Sequence, residues 1–186
     1  MQVHGGMGFI EETGAAQYYR DSRILTIYEG TTAIQANDLV GRKTARDGGS
    51  TAKAIAARIE ATEAELAGRG SGAAKAMHRS LRTARQAFVE VVDFIAAGSK
   101  GDPNAAYAGS VPYLMLAGNL VAGWQMARAL LIAEDRMAAG EDAAFMQAKV
   151  TTARFYADHV LSRVPGLRQA IVDGAPGVTE MAADAF

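Results

Sequence analysis

Apolar residues recur three and four positions apart over most of this chain, the spacing that lines one face of an α-helix. The clearest stripe runs through Ala74, Met77, Leu81, Ala84, Phe88, Val91 and Ile95 and predicts one long amphipathic helix. A second, through Ala143, Met146, Val150, Ala153, Ala157 and Val160, predicts another. Between them, Tyr113, Ala117, Leu120, Trp124, Ala127 and Leu131 belong to a stretch that is apolar nearly all round, as expected of a helix enclosed by neighbours. Three such helices require a bundle, so the fold class is all-α.

Turn-forming residues divide the pattern. Asp47-Gly48-Gly49-Ser50 breaks the chain, and Gly68-Arg69-Gly70-Ser71-Gly72 ends a shorter, more charged helix. Further breaks are predicted over Gly98-Ser99-Lys100-Gly101-Asp102-Pro103, at Gly140 and at Pro165. Past Gly174, Pro176 and small residues predict a loosely held tail. The expected organisation is a motif-bearing part over 1–46, a helical bundle domain over 50–174 and a tail over 175–186. There is no internal repeat and no convincing strand run, although the apolar residues just before Glu29 look like a strand.

Residues 111–133 come nearest to a membrane span, with Asn119, Gln125 and Arg128 as their strongly polar side chains over a bilayer's length of helix. Gly, Ala and Pro112 dilute the hydrophobicity and Arg128 is costly in lipid, so the expected role is a buried central helix. At 186 residues, 49% hydrophobic and a net charge of -1, the chain has material for one or two domains with a core. Without a basic excess, neither nucleic acid nor an anionic membrane is an expected partner. There is no Cys, and His4, His78 and His159 lie far apart, so no metal site is expected. No basic region precedes an apolar stretch near Met1; the default location is cytoplasmic.

The candidate chemistry lies in an ordered series: Gln2, Gly5, Gly6, Gly8 and Phe9, then Glu12, then Arg20-Asp21, then Tyr28-Glu29-Gly30-Thr31. A lone Gly-rich loop or a lone Glu-Gly is a weak signal; the ordered set is specific. In this order and spacing the residues resemble the acyl-CoA dehydrogenase family over roughly residues 1–45, and the remainder resembles the extra helical C-terminal domain of a longer branch of that family. The resemblance implies a C-terminal portion whose N-terminal helical domain and middle β-domain are supplied in cis or trans, and which is inactive by itself.

It also implies a reaction. A base removes the α-proton of an acyl-CoA thioester, and the β-hydrogen leaves as hydride to flavin N5, FAD carrying the redox step. Glu29 is the implied base: a carboxylate in an apolar, water-poor pocket has its proton affinity raised. Its backbone N–H would stabilise charge on the thioester oxygen. Gly30 matches the family's substrate-contacting glycine, where a missing side chain lets the thioester approach. Thr31, with Thr32, matches a flavin contact at a helix start, and either also serves as a plain N-cap. Ala33 stands where many members have a flavin-contacting Gln, which leaves a backbone contact there. Gln2, Val3, His4, Gly5 and Gly6 resemble the segment that reaches the ADP half of a flavin bound mainly by the neighbouring subunit, which implies a homo-oligomer and an FAD site incomplete in this chain. Without a ligand the same residues are a Gly-rich turn before a helix starting near Glu11 or Glu12.

Gln17 and Ala36 depart from the family, which usually places basic residues there. The implied partners are an acyl-CoA substrate, short or 3-methylmercaptopropionyl-CoA, and an electron-transfer flavoprotein or similar acceptor. A different class stays open: a stand-alone helical assembly protein that kept the motif without the activity. Acyl-CoA oxidase activity would differ only in how the flavin is reoxidised. The three histidines read as structural, and Tyr18-Tyr19 and Phe155-Tyr156 as packing.

Overall fold

A computed structural model describes residues 1–180 together with Ala182 and Asp184, leaving aside the side chains of Lys100 and Thr179. Every regular element among the described residues is helical. Helices α1 (Ala15–Ile24) and α2 (Thr32–Asp38) carry the N-terminal motifs. There follow α3 (Ser50–Ala67), α4 (Gly72–Gly101), α5 (Pro103–Ala108), α6 (Ser110–Ala138), α7 (Ala143–His159), α8 (Val164–Val172) and α9 (Ala175–Thr179).

The two longest helices, α4 and α6, pack on each other, and each also packs on α3, α7 and α8. All seven residues of the predicted stripe on α4 are buried, each large one worth about 1.5–3 kcal/mol in surface removed from water. The turn between α3 and α4 is fastened to the far end of α6. There Arg69 pairs with Asp135, and the Ser71 hydroxyl both donates to Glu134 and accepts the N–H of Ala74 to cap α4. Deeper in, Trp124 Nε1 donates to Thr62 Oγ1 at 2.8 Å, and the buried hydroxyls of Thr44 and Tyr113 meet at 2.9 Å.

Asp47 starts α3. Its carboxylate accepts the N–H groups of Gly49 and Thr51, both at 3.0 Å, across the left-handed Gly48 and Gly49 (φ 65° and 82°). Hydrogen bonds from Thr51, and then Ser50 and Gly49, hold its carboxyl at about 2, below the ordinary 3.8. Because the folded value is the lower one, this contribution is complete above pH 3.8 and disappears as pH falls through about 2. Asp47→Asn should therefore flatten the pH dependence of the urea midpoint across that window; an unchanged dependence would show that the cap is not linked to folding.

The structure corrects several expectations. The break predicted over residues 98–103 narrows to its end: α4 continues through Gly98 to Gly101 and only Asp102 separates it from α5. Gly98 lies close to Ala106, where α5 folds back against the end of α4. The N-terminal helix starts at Ala15, after a 3₁₀ turn at Glu11–Thr13 closed by the left-handed Gly14. α6 is not enclosed: Val111, Met115, Val121 and Ile132 are exposed. An all-round apolar sequence shows that any face can be buried, not that the chain supplies a cover for each. α6 is the one helix among the described residues long and apolar enough to cross a membrane, yet six helices, α2, α3, α4, α5, α7 and α8, pack on it. The predicted loose tail is in part the helix α9, held against α5 with Ala175 buried; Met181, Ala183, Ala185 and Phe186 lie outside the described residues.

Candidate functional site

The chain between α1 and α2 carries the motif carboxylate. The apolar run before Glu29 is not a strand: Thr26 N–H bonds to the Arg23 carbonyl, and Ile27 and Tyr28 N–H both bond to that of Ile24. β-Branched residues form strands when a partner strand pairs with them, and with none among the described residues the backbone closes on the preceding turn. Glu29 and Gly30 then reverse the chain with φ 56° and 94°. For glycine this is free; for a glutamate the left-handed conformation costs about 1–2 kcal/mol, a kind of strain that clusters at functional positions. Gln35 fixes the reversal by donating Nε2 to the Glu29 carbonyl at 2.6 Å.

Thr31 occupies the N-cap of α2, extended at φ -67° and ψ 170°, with its hydroxyl making no capping bond. Glu29, Gly30 and Thr32 line a cavity of about 260 Å³ with Leu25, Tyr28, Gln35 and Leu114. Leu114 comes from α6, because α2 lies on α6 with Ala36 fully buried. That burial gives a physical reason for alanine at the position where the family resemblance led one to expect a basic residue. Glu29 itself is exposed, so the water-poor pocket expected from the sequence is not enclosed by this chain. Ala33 is exposed on the first turn of α2.

Gln2–Gly8 form a 3₁₀ segment kinked at Gly5 (φ 59°, ψ -140°), which packs on α1 and the Glu11–Thr13 turn. Gln2, Val3, His4, Gly5 and Gly6 are all exposed and line no part of the Glu29 cavity. A Cβ built on Gly5 or Gly6 would meet nothing within 4 Å. Elsewhere in the N-terminal part Phe9, Tyr18, Tyr19, Leu25 and Ile34 are exposed as well. The tyrosines of α1 thus do not pack in the core as expected, since α1 has the two 3₁₀ segments as its main neighbours. Phe155 is exposed too, its ring 4.6 Å from that of His159, whereas Tyr156 is half-buried and donates to the Asn119 carbonyl. Gln35 and Leu114 were not singled out by sequence reasoning; Gln35 could have been flagged as the polar residue one helical turn past the N-cap.

Two family models match the chain: the acyl-CoA dehydrogenase, C-terminal domain over residues 1–44, and the acetyl-CoA dehydrogenase C-terminal like family over residues 52–182. The chain is 56% identical over 173 residues to the 3-methylmercaptopropionyl-CoA dehydrogenase of Ruegeria pomeroyi, covering 93% of this chain and 29% of that protein. It is 33% identical over 183 residues to the broad-specificity linear acyl-CoA dehydrogenase FadE5 of Mycobacterium tuberculosis, covering 92% and 29%. The mitochondrial short-chain specific acyl-CoA dehydrogenase of Rattus norvegicus is 51% identical over 41 residues, 22% of this chain and 10% of that protein. The chain therefore spans under a third of the length of these relatives.

Proposed function

The chain belongs to the acyl-CoA dehydrogenase family, and from that premise we propose that it is the C-terminal portion of an FAD-dependent enzyme that α,β-dehydrogenates an acyl-CoA thioester, with Glu29 as the base for the α-proton. The observation that supports this reading most is the reversal at Glu29-Gly30, where a strained carboxylate-bearing residue and a glycine open on one cavity. Residues 1–46 would complete the family's C-terminal helical domain, 50–174 an additional domain and 175–186 a tail.

In this reading the Glu29 carboxylate accepts the α-proton as general base. The Glu29 N–H, which has no hydrogen-bond partner among the described residues, donates to the thioester oxygen. Gly30 admits the thioester against backbone. Thr31, Thr32 and the Ala33 backbone hold FAD from this chain, and Gln2, Val3, His4, Gly5 and Gly6 reach the ADP half in a second copy. The open glycine backbone at Gly5 and Gly6, and the uncommitted Thr31 hydroxyl, fit a group held close. When bound, FAD supplies the acceptor for the β-hydrogen. The substrate is 3-methylmercaptopropionyl-CoA, as in the name of the 56% identical relative, or a short linear acyl-CoA, and the electrons pass to an electron-transfer flavoprotein or similar acceptor.

The test completes this chain with N-terminal helical and β-domains and follows flavin absorbance on adding 3-methylmercaptopropionyl-CoA or butyryl-CoA. Bleaching is expected. A flavin-loaded protein that neither compound reduces would overturn the reading in favour of a non-catalytic helical assembly protein.

A further inference from the structure

α2 does not end as an ordinary α-helix: Leu39–Thr44 continue it as a π-helix. π-Turns are rare and are found mostly at functional sites. Their wider turn places residues four and five apart on one face, and here that face includes Leu39, Lys43 and Thr44, which line one wall of a second cavity, of about 310 Å³. The facing walls include Ile55, Phe88, Tyr113, Ala117 and Leu120. None of the residues lining the Glu29 cavity takes part. The Thr44 and Tyr113 hydroxyls satisfy each other, and burial pushes the Tyr113 phenol up, so neither supplies a charge. Lys43 is the one charged side chain lining the cavity, and it forms no ion pair among the described residues. Asp47, the carboxylate nearest to it along the chain, is already held by the Gly49 and Thr51 N–H groups.

A mostly apolar cavity takes an apolar group readily. At ~30 Å³ per heavy atom, the share of one water in the liquid, it has room for about ten such atoms, the size of octanoate. We propose that this cavity binds a medium-length single-chain carboxylate, with the chain between the π-helix and α3, α4 and α6 and the carboxylate at Lys43.

The experiment is calorimetric titration of hexanoate, heptanoate, octanoate and octanol into the 186-residue chain. Affinity should rise about fourfold with each methylene. Lys43→Met should weaken octanoate several-fold and leave octanol unchanged. Ala117→Phe should fill the cavity and abolish binding of both at unchanged helical content; if that variant does not fold, Val121→Trp at the exposed rim serves in its place. Octanoyl-CoA that displaces octanoate supports the cavity with a thioester as the natural source of the chain; octanoyl-CoA that does not supports it with the free acid. Absence of binding, or equal binding by the filled variant, overturns the site. Parallel weakening of octanoate and octanol by Lys43→Met overturns the place of the carboxylate.

Discussion

Glu29→Gln in the completed enzyme is expected to stop exchange of the substrate α-proton with solvent and to lower turnover by about 10²–10⁴-fold, the contribution of a positioned general base. The substitution keeps the length and shape of the side chain and removes only its capacity to take a proton. Nothing else about the reversal should change, because the contact that fixes it runs from the Gln35 amide to the Glu29 backbone carbonyl and not to the carboxylate. Flavin should stay bound, since the proposed flavin contacts of this chain are at Thr31, Thr32 and Ala33 and not on the Glu29 side chain. Glu29→Asp keeps a carboxylate but withdraws it by one methylene, and should fall between the two, because misplacement by about 1 Å costs on the order of 10²-fold. Deuterium incorporation at the α-carbon, followed by mass spectrometry beside the flavin spectrum, measures both effects. Normal exchange in Glu29→Gln would remove Glu29 from the role while leaving family membership intact.

Much of the bundle was legible because its determinants are local and repeated. The stripe on α4 runs seven residues without interruption, and all seven are buried. On α7 the same reasoning holds at Met146, Ala153 and Ala157 but fails at the start, where Ala143 is exposed. The errors arise where a neighbour decides. Ile24 to Tyr28 has strand-like composition and no strand to pair with; Gly98 and Gly101 have poor helix propensity yet remain in α4. The open side of α6 keeps the apolar Val111, Met115, Val121 and Ile132 beside Gln125 and Arg128, so its apolar positions alone do not tell it from the covered side. At the candidate site, the sequence indicated the identity of Glu29, Gly30 and Thr31 through a resemblance, whereas the left-handed backbone at Glu29 and the approach of Leu114 depend on how α2 settles on α6. The π-helix at Leu39–Thr44 has no periodic signature over six residues, and so the second cavity was not foreseen.

Among the described residues the bundle contains one buried charge, and its partner is within reach of mutation. Glu63 on α3 is 4% exposed, and Arg85 on α4 meets it in a fork, Nε to Oε1 at 2.7 Å and Nη2 to Oε2 at 3.0 Å, while also donating to Glu60 at 3.0 Å. A carboxylate taken out of water is tolerated here because the fork supplies charge and hydrogen bonds together. Arg85→Ala removes both and leaves Glu63 behind, so a loss of about 3–5 kcal/mol is expected. Replacing both partners, as in Arg85→Met with Glu63→Leu, should recover most or all of that loss, because the desolvation cost disappears with the charge. Urea unfolding of the single and double variants closes the cycle and yields the coupling between the two side chains. A loss under about 1 kcal/mol for Arg85→Ala would place the pair with exposed salt bridges, which contribute little. The α3–α4 contact would then rest on its apolar residues, Ala56, Ile59 and Leu66 against the stripe of α4.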